Sequence, residues 1–143
     1  MLKGISKILS PELLKILCEM GHGDEIVIAD GNFPSEAFGK RVIRLDGLSG
    51  TAVLEGVLSV LPLDTYSDPN FVLMELMDCD KGKINPVIWE EYRAVAEKYD
   101  ENVKFGKIDR FAFYERAKNA YAVIATGEEA VYANIILKKG VIK

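Results

Sequence analysis

Short, almost uninterrupted apolar runs alternate along this chain with longer stretches in which apolar residues recur at helical spacing. Glu25–Ala29 and Phe71–Met77 are such runs, whereas Leu13–Met20 places its apolar side chains on one helical face. A continuous apolar run this short is typical of a strand that is buried on both faces, as in a parallel sheet covered by helices. The alternation therefore predicts a layered α/β fold.

The predicted elements alternate between helix and strand over most of the chain. Ser10, followed by Pro11, marks the start of the first helix, and Gly21 marks its end. Later helices are predicted to begin near Gly50, Pro86 and Arg110, and strands are predicted over Glu25–Ala29, Arg41–Leu45, Phe71–Met77, Lys104–Ile108, Tyr121–Ala125 and Tyr132–Leu137. The last two strands, joined by a turn at 126–129, are expected to form a hairpin-like pair. We expect a single three-layer domain over residues 1–143, with a mixed, mostly parallel sheet flanked by helices.

Composition and charge argue against several classes of protein. The 143-residue chain has a formal net charge of −4, which disfavours a nucleic-acid binder because phosphate neutralisation needs clustered Lys and Arg. Its longest apolar runs are too short to span a membrane, and its first residues do not resemble a signal peptide. Cys18 and Cys79 are expected to be reduced thiols of a cytoplasmic protein, with Cys18 buried on a helix face.

One histidine and one aspartate flank the first predicted strand. His22 is the only histidine of the chain, and the glycines on either side of it leave its ring open to a small molecule. Because histidine can both give and take a proton near neutral pH, His22 and the strand-ending Asp30 are interpreted together as an acid/base site. Two structural alternatives stay open, namely a histidine that is hydrogen-bonded to a neighbouring loop and an aspartate that caps the turn at Gly31.

Three further polar residues suit a ligand. Arg110 lies just inside a predicted helix start, where a cation fits poorly with the helix dipole, so it is interpreted either as binding an oxygen-rich ligand or as an ion-pair partner of Asp109 or Glu115. Tyr132 and Asn134 are two residues apart on a predicted strand and should therefore share one face. An aromatic ring beside a carboxamide suits a sugar, and the alternative is an exposed strand face at a subunit contact.

Several motifs of other enzyme classes are missing from the sequence. It contains no Gly-rich phosphate loop, no CxxC pair and no Gly-x-Ser-x-Gly elbow. We therefore expect no cofactor, no metal and no covalent intermediate. Proton transfer on a small polar ligand is the chemistry that the residues favour.

Five collinear segments resemble the fucose mutarotase and ribose pyranase family. They are Leu2–Lys15, Glu19–Glu25, Asp30–Pro34, Arg110–Ala117 and Thr126–Val141. Together they cover essentially the whole chain. The segment that begins at Arg110 is similar to the fucose branch specifically.

The resemblance implies an enzyme without a cofactor that interconverts the anomers of free L-fucose. It implies His22 as the catalytic acid/base, and the residues that it implies in sugar contact are Asp30, Arg110, Tyr132, Ala133 and Asn134. It also implies a ring-shaped homo-oligomer, often a decamer, with sites near subunit contacts. The alternatives are a ribose pyranase, which interconverts pyranose and furanose, and a non-catalytic sugar-binding oligomer, which would not need His22.

Overall fold

Five helices and six strands form the fold, which a computed structural model describes for residues 1–143. The helices are α1 (Pro11–Glu19), α2 (Ser35–Phe38), α3 (Gly50–Leu58), α4 (Ile88–Tyr99) and α5 (Arg110–Asn119). The strands are β1 (Glu25–Ala29), β2 (Val42–Leu45), β3 (Phe71–Met74), β4 (Phe105–Ile108), β5 (Ala122–Thr126) and β6 (Ile135–Lys138). No helix is both long and apolar enough to cross a membrane.

The six strands make one mixed sheet in the order β2-β5-β1-β6-β3-β4. β6 is antiparallel to both of its neighbours, β1 and β3, and the other three pairings are parallel. The predicted mixed, mostly parallel sheet is confirmed. The predicted hairpin between the last two strands is wrong, because β1 lies between β5 and β6 and pairs with both. The pairing of β1 with β5 on one side and with β6 on the other replaces the local pairing that the turn at 126–129 favoured.

Helices cover both faces of the sheet, which confirms the three-layer α/β arrangement. Side chains of α1, α3 and α4 form the larger core on one face, and those of α5 with Phe33 form the smaller core on the other. Successive residues of β1 alternate between them, with Ile26 and Ile28 in the larger core and Val27 and Ala29 in the smaller. β1 is therefore a central strand. Its amino end and its carboxyl end lie at opposite ends of the sheet.

The predicted starts of α1 and α5 are confirmed by their capping bonds. The side chain of Ser10 accepts from the first turn of α1. Asp109 Oδ1 accepts hydrogen bonds from the backbone N–H groups of Phe111 and Ala112, both at 3.0 Å. A capped first turn is ordered, so Asp109 fixes the position of Arg110, the first residue of α5.

Some boundaries differ from the prediction. β3 ends at Met74 rather than Met77, because its partner β4 ends opposite it at Ile108. The single-turn helix α2 was not predicted, since four residues are too few to show helical periodicity. Cys18 is exposed rather than buried, because it falls outside the stripe of α1 that contacts the core. Both cysteines are free.

Candidate active site

The predicted site residues fall into two separate clefts at opposite ends of β1. His22 precedes β1 and lines an apolar cleft of about 600 Å³, while Asp30 follows β1 and lines a cleft of about 280 Å³. The clefts share no lining residue, and a five-residue strand is about 17 Å long. The interpretation of His22 and Asp30 as one site is therefore wrong for a single copy of the chain. The two ends of a strand lie at opposite edges of its sheet, so residues just before and just after it cannot meet on one small ligand.

Asp30 and Asn134 form a buried, reciprocally bonded pair in the smaller cleft. Asp30 N–H donates to Asn134 Oδ1 at 2.8 Å, and Asn134 Nδ2 donates to Asp30 Oδ2 at 3.0 Å. The remaining oxygen of Asp30, Oδ1, accepts from the backbone N–H of Asn32 at 3.0 Å. The turn-capping role that was left open for Asp30 is therefore confirmed, and it coexists with a place in the cleft. The pair holds the carboxylate rigidly at the carboxyl end of β1, where open α/β sheets bind ligands.

The charge of Asp30 is costly in this position. Burial raises the pKa of the Asp30 carboxyl, and hydrogen bonds from the N–H groups of Asn32 and Ala133 and from the Asn134 amide offset only part of the effect. A buried carboxylate of this kind gains from each further hydrogen bond that it accepts. Ligand hydroxyl groups would supply such bonds.

Tyr132 lines the same cleft, but in a backbone conformation that the sequence did not predict. It lies outside β6 and has a left-handed backbone (φ 58°), so it does not share a strand face with Asn134 as expected. Its carbonyl oxygen accepts from Trp89 Nε1 at 2.8 Å, and its hydroxyl donates to Asp80 and accepts from the N–H of Met77. These tertiary bonds hold a conformation that is unfavourable for a bulky residue, as is common at functional sites.

The phenol of Tyr132 serves as a neutral hydrogen-bonding group. Burial raises its pKa, and the hydrogen bond to Asp80 raises it further. The hydroxyl is therefore protonated at neutral pH. Asp80 belongs to the polar segment 78–83, which sequence composition alone marks only as a surface loop, and it lines the cleft.

Arg110 lies exposed at the rim of the smaller cleft. Its Nε donates to the hydroxyl of Tyr114 at 2.8 Å, and its Nη1 lies 3.4 Å from the sulfur of Met77. The alternative ion pair with Asp109 or Glu115 is absent. The guanidinium has no carboxylate partner and is free to bind ligand oxygens.

Ala133 lies beneath the cleft rather than in its lining. The residue is fully buried, and its carbonyl oxygen accepts from the hydroxyl of Tyr92 at 3.1 Å. Its contribution comes from its backbone, which places Tyr132 and Asn134 on either side of it.

His22 lies at the amino end of β1, on a turn that is hydrogen-bonded to neighbouring segments. Its side chain is 46% exposed, and Nε2 lies 3.0 Å from Oδ1 of Asp64, a carboxylate that the sequence did not single out. Gly23, whose φ of +87° suits a residue without a side chain, donates its N–H to Lys139 O at 2.8 Å. His22 is thus hydrogen-bonded to a neighbouring loop, as the structural alternative predicted, yet its ring remains accessible.

Comparison with known proteins identifies the family. A model of the RbsD / FucU transport protein family matches residues 3–142. The chain belongs to this family. It is 52% identical over 143 residues to the fucose mutarotase of Mus musculus, which covers 97% of this chain and 94% of the relative.

Solved structures of the RbsD / FucU family share the fold. The fucose mutarotase of Streptococcus pneumoniae, in complex with L-fucose, is 46% identical with a TM-score of 0.92, covering 99% of this chain and 100% of that one. RbsD of Bacillus subtilis, complexed with D-ribose, is more distant, at 25% identity and a TM-score of 0.76 with both chains fully covered. The predicted family and fold class are confirmed.

Proposed function

We propose that this protein interconverts the α and β anomers of free L-fucose by acid/base proton transfer. About half of its residues are identical to those of a fucose mutarotase, over almost the full length of both chains. The observation that carries the proposal within the structure is the cleft around Asp30. It combines a carboxylate, a guanidinium and a phenol hydroxyl with the apolar side chains of Phe33 and Met74. A neutral sugar with several hydroxyl groups and one methyl group matches that combination.

The reaction requires two proton transfers. The anomeric hydroxyl loses a proton as the bond between the anomeric carbon and the ring oxygen breaks, and the ring oxygen gains a proton. The aldehyde group of the open chain then rotates to present its other face, and the ring closes by the reverse steps. A positioned acid/base contributes roughly 10²–10⁴-fold to such a step, and we assign one transfer to His22. Asp30, Tyr132 or a bound water serves the other.

We further propose that a second copy of the chain completes the site. His22 and Asp30 lie at opposite ends of β1, so one copy can bring His22 to the Asp30 cleft of the next. A contact between two different surfaces repeats head to tail, and it forms a ring where the rotation between copies closes, as the family resemblance implies. Exposed apolar side chains at both ends support this contact, with Phe111 66% exposed beside Arg110 and Ile142 87% exposed near His22. The resemblance indicates a decamer.

Two alternatives differ in measurable ways. A ribose pyranase would act on D-ribose, and a non-catalytic sugar binder would hold L-fucose without exchanging its anomers. Saturation-transfer NMR of the anomeric protons, run with L-fucose and D-ribose in parallel and against protein-free samples, separates the three. We expect accelerated exchange with L-fucose. Exchange with D-ribose alone, or L-fucose binding without exchange, would contradict the proposal.

We place the protein in the cytoplasm. Cys18 and Cys79 are both free and exposed, and exposed thiols persist in a reducing compartment.

A further inference from the structure

Asp64 is a buried carboxylate that contacts the ring of His22. It is only 2% exposed, and its Oδ1 lies 3.0 Å from His22 Nε2. The same oxygen accepts from the N–H of Tyr66 at 3.2 Å, and Oδ2 accepts from the hydroxyl of Ser67 at 2.6 Å. Both oxygens are therefore held in place, and one of them is directed at the imidazole.

The loop of Asp64 and the turn of His22 are anchored to the same stretch of chain. Asp64 N–H donates to Lys138 O at 3.0 Å, and Gly23 N–H donates to Lys139 O at 2.8 Å. The amide of Asn70 additionally donates to Asp64 O at 2.9 Å. Two loops that are 42 positions apart in sequence are thus fixed relative to each other by the end of β6.

The chemistry of the contact determines which nitrogen of His22 carries a proton. An ionised carboxylate can only accept a hydrogen bond, so Nε2 must donate and the neutral ring must have its lone pair on Nδ1. Burial works against the charged form of Asp64, but hydrogen bonds from Ser67 and His22 outweigh it and hold the pKa of this carboxyl below its usual value. Asp64 is therefore ionised at neutral pH and accepts from His22.

We propose that Asp64 is a positioning residue that fixes the tautomer and orientation of His22, so that Nδ1 exchanges protons with the sugar. This inference rests on the proposed acid/base role of His22. The anomeric hydroxyl gives its proton to Nδ1, the resulting imidazolium keeps its Nε2–H on Asp64, and Nδ1 returns the proton when the ring closes. Asp64 stabilises the imidazolium throughout and does not itself take the proton.

Substitutions of Asp64 test the inference, and the chain offers matched controls. Asp64→Asn removes the charge, and Asp64→Leu removes every acceptor while keeping four side-chain heavy atoms branched at Cγ. Asp100→Asn is the control for loop anchoring, because Asp100 Oδ2 accepts from Leu63 N–H at 3.0 Å next to Asp64 without touching His22. Ser67→Ala is the intermediate case, since it removes one bond to Asp64 and leaves the contact with His22.

Two readouts are needed, and the single histidine makes the first unambiguous. Nitrogen-15 NMR of the imidazole reports the tautomer of His22, and saturation-transfer NMR over a series of L-fucose concentrations separates kcat from KM. We expect the parent to have Nε2–H and a bare Nδ1. In both Asp64 variants the tautomers should mix and kcat should fall by about 10- to 100-fold, part of the contribution of a positioned acid/base, with KM changing less than about twofold. Asp100→Asn should match the parent in both readouts.

Three results would overturn the role of Asp64. The first is parental kcat in both Asp64 variants. The second is a loss of kcat with an unchanged His22 tautomer, and the third is an equal loss in Asp100→Asn, which would reduce Asp64 to a loop anchor. A parent that shows no anomer exchange would overturn the proposed function itself, whatever its tautomer, so the two failures are distinguishable.

Discussion

At the scale of single residues, each end of β1 has a different chemical capacity. The amino end carries His22, which is accessible and held by Asp64, and the carboxyl end carries Asp30, which is buried and held by Asn134. Neither end has both a histidine that can exchange protons and a group of side chains suited to bind a sugar. The division explains why both ends are needed for the proposed reaction.

Removal of His22 should abolish most anomer exchange without disturbing the fold. The side chain is half exposed and contributes little to the core, so His22→Ala should keep the fold and lose only the free energy of its hydrogen bond to Asp64, about 1–3 kcal/mol. Loss of a positioned acid/base should lower the exchange rate by roughly 10²–10⁴-fold. The checks are saturation-transfer NMR and urea unfolding, and exchange at the parental rate would show that His22 is not the acid/base.

Asp30 and Asp64 should affect stability in opposite directions as pH falls. The folded-state pKa of Asp30 is raised, so the folded state holds its proton more tightly than the unfolded state and the cost of its charge disappears in acid. The folded-state pKa of Asp64 is lowered, so its contribution is present above the ordinary value of 3.8 and is lost below it.

Urea unfolding of the parent, Asp30→Asn and Asp64→Asn between pH 7 and pH 3 measures both effects. Relative to Asp30→Asn the parent should gain stability as pH falls, and relative to Asp64→Asn it should lose stability. Each variant also changes hydrogen bonds, which shifts its free energy of unfolding. That shift does not depend on the titration of the replaced carboxyl. Parallel trends in the two comparisons would contradict the assigned environments.

At the scale of elements, the site depends on how a few elements begin and end. Asp109 caps α5 and so places Arg110 at the rim of the smaller cleft. Asp109→Ala should lower the free energy of unfolding by about 1 kcal/mol and weaken L-fucose binding, whereas Asp109→Ser should retain most of both because serine also caps helices. Urea unfolding and calorimetric titration check this, and equal losses in the two variants would exclude capping as the cause.

The sequence predicts elements better than it predicts their partners. β1, the cap at Ser10 and the helix start at Arg110 follow from local patterns, and those are as predicted. The position of β6 depends instead on its pairing with β1, and the left-handed backbone of Tyr132 depends on a hydrogen bond from Trp89. Both are tertiary contacts. No local periodicity encodes such contacts.

Sequence analysis of the site has the same limit. Asp30 was found as the polar residue that ends an apolar run and Asn134 as a polar residue within a predicted strand, and both line one cleft. Asp64 was missed because it lies in an irregular loop 42 positions from His22. The separation of His22 from Asp30 was also missed, although their positions before and after β1 already place them at opposite ends of that strand.

At the scale of the whole molecule, the split site predicts a closed assembly. Multi-angle light scattering at micromolar concentration should give about ten times the 15.9 kDa of one chain. Phe111→Asp should lower that mass and the exchange rate together, because Phe111 is exposed at the end of the molecule that carries the Asp30 cleft. A monomeric mass with full activity would exclude the ring.

The most direct test of a site shared between copies is complementation between two inactive variants. His22→Ala and Asp30→Asn, each alone, should show almost no anomer exchange. Co-expressed in equal amounts, they should form mixed rings in which about a quarter of the subunit boundaries pair an intact His22 with an intact Asp30. The account predicts that these rings regain about a quarter of the parental exchange rate for L-fucose. Mixed rings, verified by native mass spectrometry, that regain no exchange would contradict it.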